Sequence, residues 1–97
     1  MTRKEEIKDL VRETLARRLA GRRYRAFLFG SQANRPDLKP ADIDVGILAD
    51  EALPTTLLAQ ISADLEELPT LYPFDVVDFN RVRDSFRRVA LQSTEPL

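Results

Sequence analysis

Two aspartates separated by a single residue, Asp42 and Asp44, are the side chains in this sequence best arranged to do chemistry. On a β-strand, residues i and i+2 point to the same face, so both carboxylates would project together. Two like charges held this close repel each other unless a cation lies between them. Hard divalent ions such as Mg²⁺ take oxygen ligands of this kind, often together with substrate phosphates. The alternative is one aspartate that ends a loop and a second that is solvated at a strand edge.

Gly30 and Ser31 form a second candidate site, because they directly follow the apolar stretch 25–29. A glycine at the end of a strand lets the backbone approach a ligand closely, and exposed N–H groups there can bind phosphate. The serine hydroxyl can add one hydrogen bond. The alternative is an ordinary turn, which the same two residues would also form.

A third carboxylate is available in the apolar stretch 74–79, which contains Asp75 and Asp78. An acid inside so apolar a strand is costly to bury without a partner. Strand alternation sends these two side chains to opposite faces, so only one of them can join Asp42 and Asp44. We choose Asp75, because Asp78 lies near the strand end, where an exposed acid needs no explanation.

The composition excludes several other kinds of site. The 97-residue chain has no histidine and no cysteine, which rules out a Ser-His-Asp triad, imidazole zinc ligation, thiolate metal sites and disulfides. The formal net charge of −1 creates no global field that would attract nucleic acid or an anionic membrane. No stretch resembles a signal peptide or reaches the roughly 20 apolar residues of a transmembrane helix. We therefore expect a soluble, cytoplasmic protein.

The elements that must hold these residues follow the order α-β-β-α-β-α, judged from helical and strand periodicity. The first helix begins with a capping box formed by Thr2 and Glu5 and stops at Gly21. Strands are predicted at 25–29, 43–49 and 74–79. A second helix is opened by Asp50 and Pro54 and ended by Pro69. A last helix is capped by Asn80, with Val82, Phe86 and Val89 facing inward, and the tail at 93–97 is expected to fray. These elements predict one α+β domain over residues 1–97, with a small mixed sheet flanked by helices.

A dense basic patch surrounds the end of the first helix, and its members are Arg17, Arg18, Arg22, Arg23 and Arg25. Such a patch could contact nucleic acid or an acidic partner. Cations are also favoured at a helix C-terminus by the helix dipole. With a net charge near zero and only Tyr24 as an interleaved aromatic residue, we favour the helix-end interpretation and predict no nucleic-acid partner.

The spacing of these motifs resembles a known signature. Phe29-Gly30-Ser31, ten further residues, Asp42-Ile43-Asp44 and an apolar strand are similar to the signature of the DNA polymerase β-like nucleotidyltransferase superfamily. The stretch 74–78 resembles the strand that carries the third acid of that superfamily. The short length and the order of elements resemble its minimal nucleotidyltransferase (MNT) branch, and the likeness extends from the first helix to about Leu91.

The resemblance implies a role for each motif. Gly30 and Ser31 would bind the triphosphate of an NTP, with ATP as the expected substrate. The metal ions, Mg²⁺ or Mn²⁺, would be held by Asp42 and Asp44, and Asp75 would complete the site as a ligand of the catalytic metal. Gln32 stands where members of the family often carry arginine, so a positive charge next to the phosphates would be missing.

The resemblance also implies a partner. Minimal nucleotidyltransferases are commonly paired, as antitoxins, with a helical HEPN-domain toxin, and transfer AMP to a tyrosine of that toxin. A chain of 97 residues has room for an NTP site but little left for an acceptor pocket, which agrees with an acceptor on another protein. Two alternatives remain: an antitoxin that neutralises its partner by binding alone, and the nucleotide-binding subunit of a small-molecule transferase similar to those that modify aminoglycosides.

Overall fold

The computed structural model describes residues 2–97, which form three α-helices and one four-stranded sheet. Along the chain the elements are α1 (Arg3–Arg18), β1 (Tyr24–Phe29), a short 3-10 turn (Gly30–Gln32), β2 (Ile43–Ala49), α2 (Thr55–Glu66), β3 (Phe74–Asp78), α3 (Asp84–Ala90) and β4 (Thr94–Pro96). The strand order is β3-β2-β1-β4, with β2 and β3 parallel and the other pairs antiparallel. The predicted α+β class with a small mixed sheet is confirmed.

Helix α1 begins as the sequence predicts. The Thr2 hydroxyl accepts a hydrogen bond from the Glu5 amide at 3.2 Å, and the Glu5 carboxylate accepts one from the Thr2 amide at 3.5 Å. This reciprocal capping box satisfies backbone donors that the first turn leaves unpaired. The apolar side of the helix is buried against the sheet and α2, through Ile7, Val11, Leu15 and Leu19.

The two faces of the sheet are covered unequally. One face packs against α1 and α2 and contains the larger core, in which Leu28, Val45 and Ile47 are buried. The other face carries a smaller cluster of Phe27, Phe29 and Phe79, whose rings meet edge to face. Because side chains alternate along a strand, Asp44 lies on this second face: it pairs with Phe29 of β1.

The C-terminal residues correct one prediction. The tail at 93–97 was expected to fray, but Thr94–Pro96 forms β4 and pairs antiparallel with β1. Glu95 fixes this strand, because its carboxylate binds Lys4 Nζ at 2.6 Å and Lys8 Nζ at 2.8 Å. The tail is therefore ordered by partners at the opposite end of the sequence, which no local pattern shows.

The last helix also differs from its prediction. It begins at Asp84, after Arg83, and the Asn80 side chain donates instead to the Ala49 carbonyl at 2.8 Å. Phe86 and Val89 were predicted to face inward, but they are 45% and 67% exposed. The helix has only seven residues and lies beside the small phenylalanine cluster, which is too limited to bury a whole helical face. Among residues 2–97, no helix is long and apolar enough to cross a membrane.

Candidate active site

The sheet brings two of the three candidate acids side by side. Asp44 in β2 and Asp75 in β3 are direct partners in the parallel ladder, so their side chains leave the same face at the same level. Asp42 lies two residues before Asp44, immediately ahead of β2. Asp42 and Asp75 are exposed, whereas Asp44 is half-buried. We refer to Asp42, Asp44 and Asp75 as the acid cluster.

The electrostatics of the acid cluster converge on Asp44. Partial burial raises the pKa of the Asp44 carboxyl, and the neighbouring charges of Asp75 and Asp42 raise it further. Each of these causes disfavours the negative charge, and a cation bound between the carboxylates would favour it. The three side chains therefore affect one another electrostatically, which a set of separately solvated acids would not do.

Asp78 lies in different surroundings from those expected. It was predicted to be exposed near the end of its strand, but it is 5% exposed and projects toward the opposite face from Asp75. Its carboxylate accepts hydrogen bonds from the Leu53 amide at 2.8 Å and the Asn80 amide at 2.9 Å. Asp78 thus holds the connection between β2 and α2 in place, while Asp75 is the exposed acid of the strand.

Gly30 lies directly against the acid cluster. Its φ of +72° is in the left-handed region that favours glycine, and a Cβ at this position would overlap Oδ2 of Asp44. The glycine therefore allows the Gly30–Gln32 turn to pass close to a carboxylate. Ser31 is exposed in the same turn. The turn and the acid cluster consequently share one end of the sheet, where Phe29 pairs with Asp44.

The donor set of this end of the sheet fits a hard divalent cation. Carboxylate oxygens are the ligands such ions prefer, and the missing Cβ of Gly30 leaves space beside Oδ2 of Asp44. Within residues 2–97, no three side chains of the His, Cys, Asp or Glu type lie close enough together to hold a metal ion in their present conformations.

Gln32 does not occupy the position expected from the sequence. Instead of facing the phosphate side of the turn, its side chain is completely buried. It donates to the carbonyls of Lys39 and Ala41 and accepts from the Lys39 amide, at 2.7, 2.9 and 3.0 Å. Gln32 carries no charge, and its side chain joins two parts of the backbone, the Gly30–Gln32 turn and the loop before β2.

Lys4 and Glu95 are residues of this region that sequence reasoning missed. Lys4 Nζ is buried and donates to the Gln32 carbonyl at 3.0 Å, to the Arg35 carbonyl and to the Glu95 carboxylate. Glu95 also accepts from the Asn34 amide at 2.8 Å. Lys4 lies in the first turn of a helix, where a solvated lysine is the ordinary expectation. No signal in the sequence links it to partners 28–91 residues away.

Two clefts adjoin the acid cluster. One, of 370 Å³, is lined by Phe29, Gly30, Asp44, Phe86, Val89, Ala90 and Ser93. The other, of 440 Å³, is lined by Arg3, Pro40, Ala41, Asp42, Leu71, Tyr72 and Pro73. A larger cleft of 510 Å³ lies on the far side of β1, near Arg12 and Leu97, and contains none of the candidate acids. Asp42 and Asp44 thus border two different clefts.

A mixed sheet that carries paired acids beside a glycine turn defines a nucleotidyltransferase class of domain, and comparison with known proteins agrees. Residues 22–97 match the protein family described as "Polymerase beta, Nucleotidyltransferase". The chain belongs to this family, and the superfamily predicted from the Gly30-Ser31 and Asp42-Ile43-Asp44 motifs is confirmed.

Solved structures share the fold. Two crystal structures of mutants of the toxin–antitoxin pair MntA–HpeT superimpose on the chain. The first has a TM-score of 0.69 at 16% identity and covers 98% of this chain and 72% of that chain. The second has a TM-score of 0.66 at 19% identity, with 99% and 71% covered. At this identity the similarity concerns the fold. No curated protein matches the sequence.

Proposed function

We propose that this chain is a metal-dependent nucleotidyltransferase that moves AMP from ATP to a hydroxyl group on a protein partner, namely a tyrosine of a HEPN-domain toxin. The observation that carries the proposal is the position of Asp42, Asp44 and Asp75 at one end of the sheet, beside the Gly30 turn. Membership of the nucleotidyltransferase family supports the reaction class.

The residues have separate tasks in this reaction. Asp42, Asp44 and Asp75 would hold divalent metal, which would supply charge neutralisation for an in-line displacement at phosphorus. The backbone of the Gly30–Gln32 turn and the Ser31 hydroxyl bind the triphosphate. The acceptor oxygen forms a bond to the α-phosphorus as the bond to the bridging oxygen breaks and pyrophosphate leaves. The exposed Asp75 carboxylate receives the acceptor proton and passes it to water.

The choice of a protein acceptor rests on the size and surface of the molecule. The clefts beside the acid cluster are formed by short loops and by the exposed side of α3, and no second domain covers them in residues 2–97. In the proposed reaction the acceptor hydroxyl is carried on the surface of another molecule. Two solved structures with this fold come from a toxin–antitoxin pair, which supports a toxin as that molecule.

The test is transfer to a partner. The chain is incubated with ATP, Mg²⁺ and its cognate HEPN-domain protein, and the intact mass of the partner is measured. We expect one or more added AMP units, located on a tyrosine by peptide sequencing. Asp42→Asn and Asp44→Asn should each eliminate the added mass. Asp37→Asn, which changes an exposed aspartate of the neighbouring loop, is the matched control and should leave transfer intact.

A binding antitoxin without catalysis is the second candidate. The exposed apolar side chains near the acid cluster favour it, since Leu71 is 98% exposed and Val89 is 67% exposed. A partner protein that covered these side chains would bury apolar area and gain affinity from it. A tight complex that neutralises the toxin with no mass change under any NTP would replace the transferase with this second function.

A further inference from the structure

The buried Gln32 side chain connects the two halves of the proposed site. It belongs to the turn that contains Gly30 and Ser31, and its three hydrogen bonds reach Lys39 and Ala41 on the far side of the loop. The Ala41 carbonyl and the Asp42 amide nitrogen form a single planar peptide unit. A hydrogen bond that fixes this carbonyl therefore restricts the backbone from which the Asp42 carboxylate projects.

We propose that Gln32 is a positioning residue that fixes Asp42 relative to the Gly30–Gln32 turn. The proposal rests on the proposed function, because it takes Asp42 as a metal ligand and the turn as the triphosphate site. A metal-bridged nucleotide must contact both at once. One side chain that sets the distance between them can therefore affect metal-nucleotide binding without contacting either the metal or the nucleotide.

The chemistry of the position suits glutamine. Its amide offers two N–H donors and an acceptor oxygen, and the loop presents two carbonyls and one amide. Glutamate would keep the acceptor but place a charge against the carbonyls of Lys39 and Ala41. Leucine would remove the partner of all three part-buried backbone groups, and a polar group that loses its partner away from water is costly.

The backbone of Gln32 is itself held in place. Lys4 Nζ donates to the Gln32 carbonyl at 3.0 Å and to the Glu95 carboxylate at 2.6 Å. The same ammonium binds the Arg35 carbonyl, so it uses all three of its donors. The turn is thus fixed to α1 and β4. Because the Gln32 side chain binds the Ala41 carbonyl, the backbone at Asp42 is held at a set distance from this fixed turn.

The test compares Gln32→Leu and Gln32→Glu with Ile61→Ala, a buried change in α2 that lowers stability away from the site. Two quantities are measured on the whole chain at a temperature where every variant is folded. The first is the Kd for ATP with Mg²⁺ and with EDTA. The second is hydrogen exchange at the Lys39 amide, which binds Gln32, and at the Ile43 amide, which binds the Pro73 carbonyl.

We expect Gln32→Leu to weaken Mg²⁺-dependent ATP binding by about 10-fold or more, the effect typical of residues that orient metal ligands. Binding in EDTA should change little, and exchange at Lys39 and Ile43 should become at least about 10-fold faster. Gln32→Glu, which keeps one of the three bonds, should fall between Gln32→Leu and the unchanged chain. Ile61→Ala should leave the Mg²⁺-dependent Kd near that of the unchanged chain, and its lower stability should speed exchange at core amides in general and not at Lys39 and Ile43 in particular.

Two results would overturn the proposal. One is an Mg²⁺-dependent affinity in Gln32→Leu equal to that of Ile61→Ala, and the other is unaltered exchange at Lys39 and Ile43. If the unchanged chain binds no Mg²⁺-ATP at all, the proposed function fails by itself. The exchange data then decide the positioning role. Faster exchange at Lys39 and Ile43 than at the other core amides of the same Gln32 variant supports it, and exchange that changes uniformly across the core, as in Ile61→Ala, contradicts it.

Discussion

Asp75 and Asp78 are three positions apart in one short strand, yet their surroundings differ completely. Asp75 pairs with Asp44 on the face that carries the Gly30 turn and is exposed to solvent. Asp78 is buried on the other face and accepts two backbone hydrogen bonds. A carboxylate whose lone pairs already bind the protein backbone has a structural task, and an exposed one beside another acid is available to a ligand.

The two aspartates should therefore respond in opposite ways to the same substitution. Asp75→Asn should abolish AMP transfer with little change in the free energy of unfolding. Asp78→Asn should lower that free energy by about 1–3 kcal/mol, because an amide cannot accept both hydrogen bonds as a carboxylate does. It should retain most of the transfer activity at temperatures where it is folded. Urea unfolding and a transfer assay on both variants measure this, and greater loss of activity in Asp78→Asn would contradict the assignment.

At the scale of elements, β4 is held to the rest of the molecule by charge. Burial alone would raise the pKa of Glu95, but hydrogen bonds from Lys4, Lys8 and the Asn34 amide outweigh that effect and lower it to about 2. The carboxylate is thus more acidic in the folded chain than in the unfolded chain, where the ordinary value of 4.5 applies. The contact stabilises the fold above pH 4.5 and is lost as the pH falls toward 2.

Glu95→Gln tests this linkage. At pH 7 the substitution should lower the free energy of unfolding by about 1–3 kcal/mol, because it removes a charge-assisted partner from the buried Lys4. The difference between the two proteins should shrink between pH 4.5 and pH 2, as Glu95 of the unchanged chain becomes protonated. Urea unfolding at pH 7, 4 and 3 measures it. A difference that stays constant across this range would show that the charge of Glu95 is not what holds β4.

The elements predictable from the sequence are those that depend on local pattern. The capping box of Thr2 and the strands β1, β2 and β3 follow from residue type and periodicity, and the strands place Asp44 on the same face as Asp75. Strand β4 could not be predicted, because its three residues are ordered by Lys4 and Lys8. The start of α3 was misplaced for a similar reason, since Asn80 binds the distant Ala49 carbonyl instead of capping a helix.

The candidate site also has a part that the sequence predicts and a part that only the structure shows. The acids and the Gly30-Ser31 pair are found by their spacing, and their roles in metal and triphosphate binding stay predictions. The burial of Gln32 and of Asp78 depends on backbone groups brought close by folding, which the sequence does not display. The sequence shows that Gln32 replaces an arginine common in the family. It does not show that the Gln32 side chain binds the loop at Lys39 and Ala41.

At the scale of the whole molecule, the two faces of the sheet are covered unequally, and the candidate site lies on the less covered face. One face is filled by α1 and α2 and supplies the larger core. The other carries the acid cluster, the phenylalanine cluster and the short α3, and it leaves Phe86 and Val89 exposed beside a cleft that includes Asp44. The face that packs against α1 and α2 thus supports the sheet, and the less covered face carries the proposed site.

Stabilisation by ATP and Mg²⁺ tests the account most directly, because binding to the folded state alone raises the Tm. At about 100 times Kd the gain is about 2.7 kcal/mol, which corresponds to roughly 10–20 °C for a domain of this size. The chain and the Asp37→Asn control should both show this rise. The double variant Asp42→Asn, Asp44→Asn should lose it, and its Tm without ligand should stay equal or increase as repulsion is relieved. An equal rise in the double variant would contradict the assignment of the metal-nucleotide site to these aspartates.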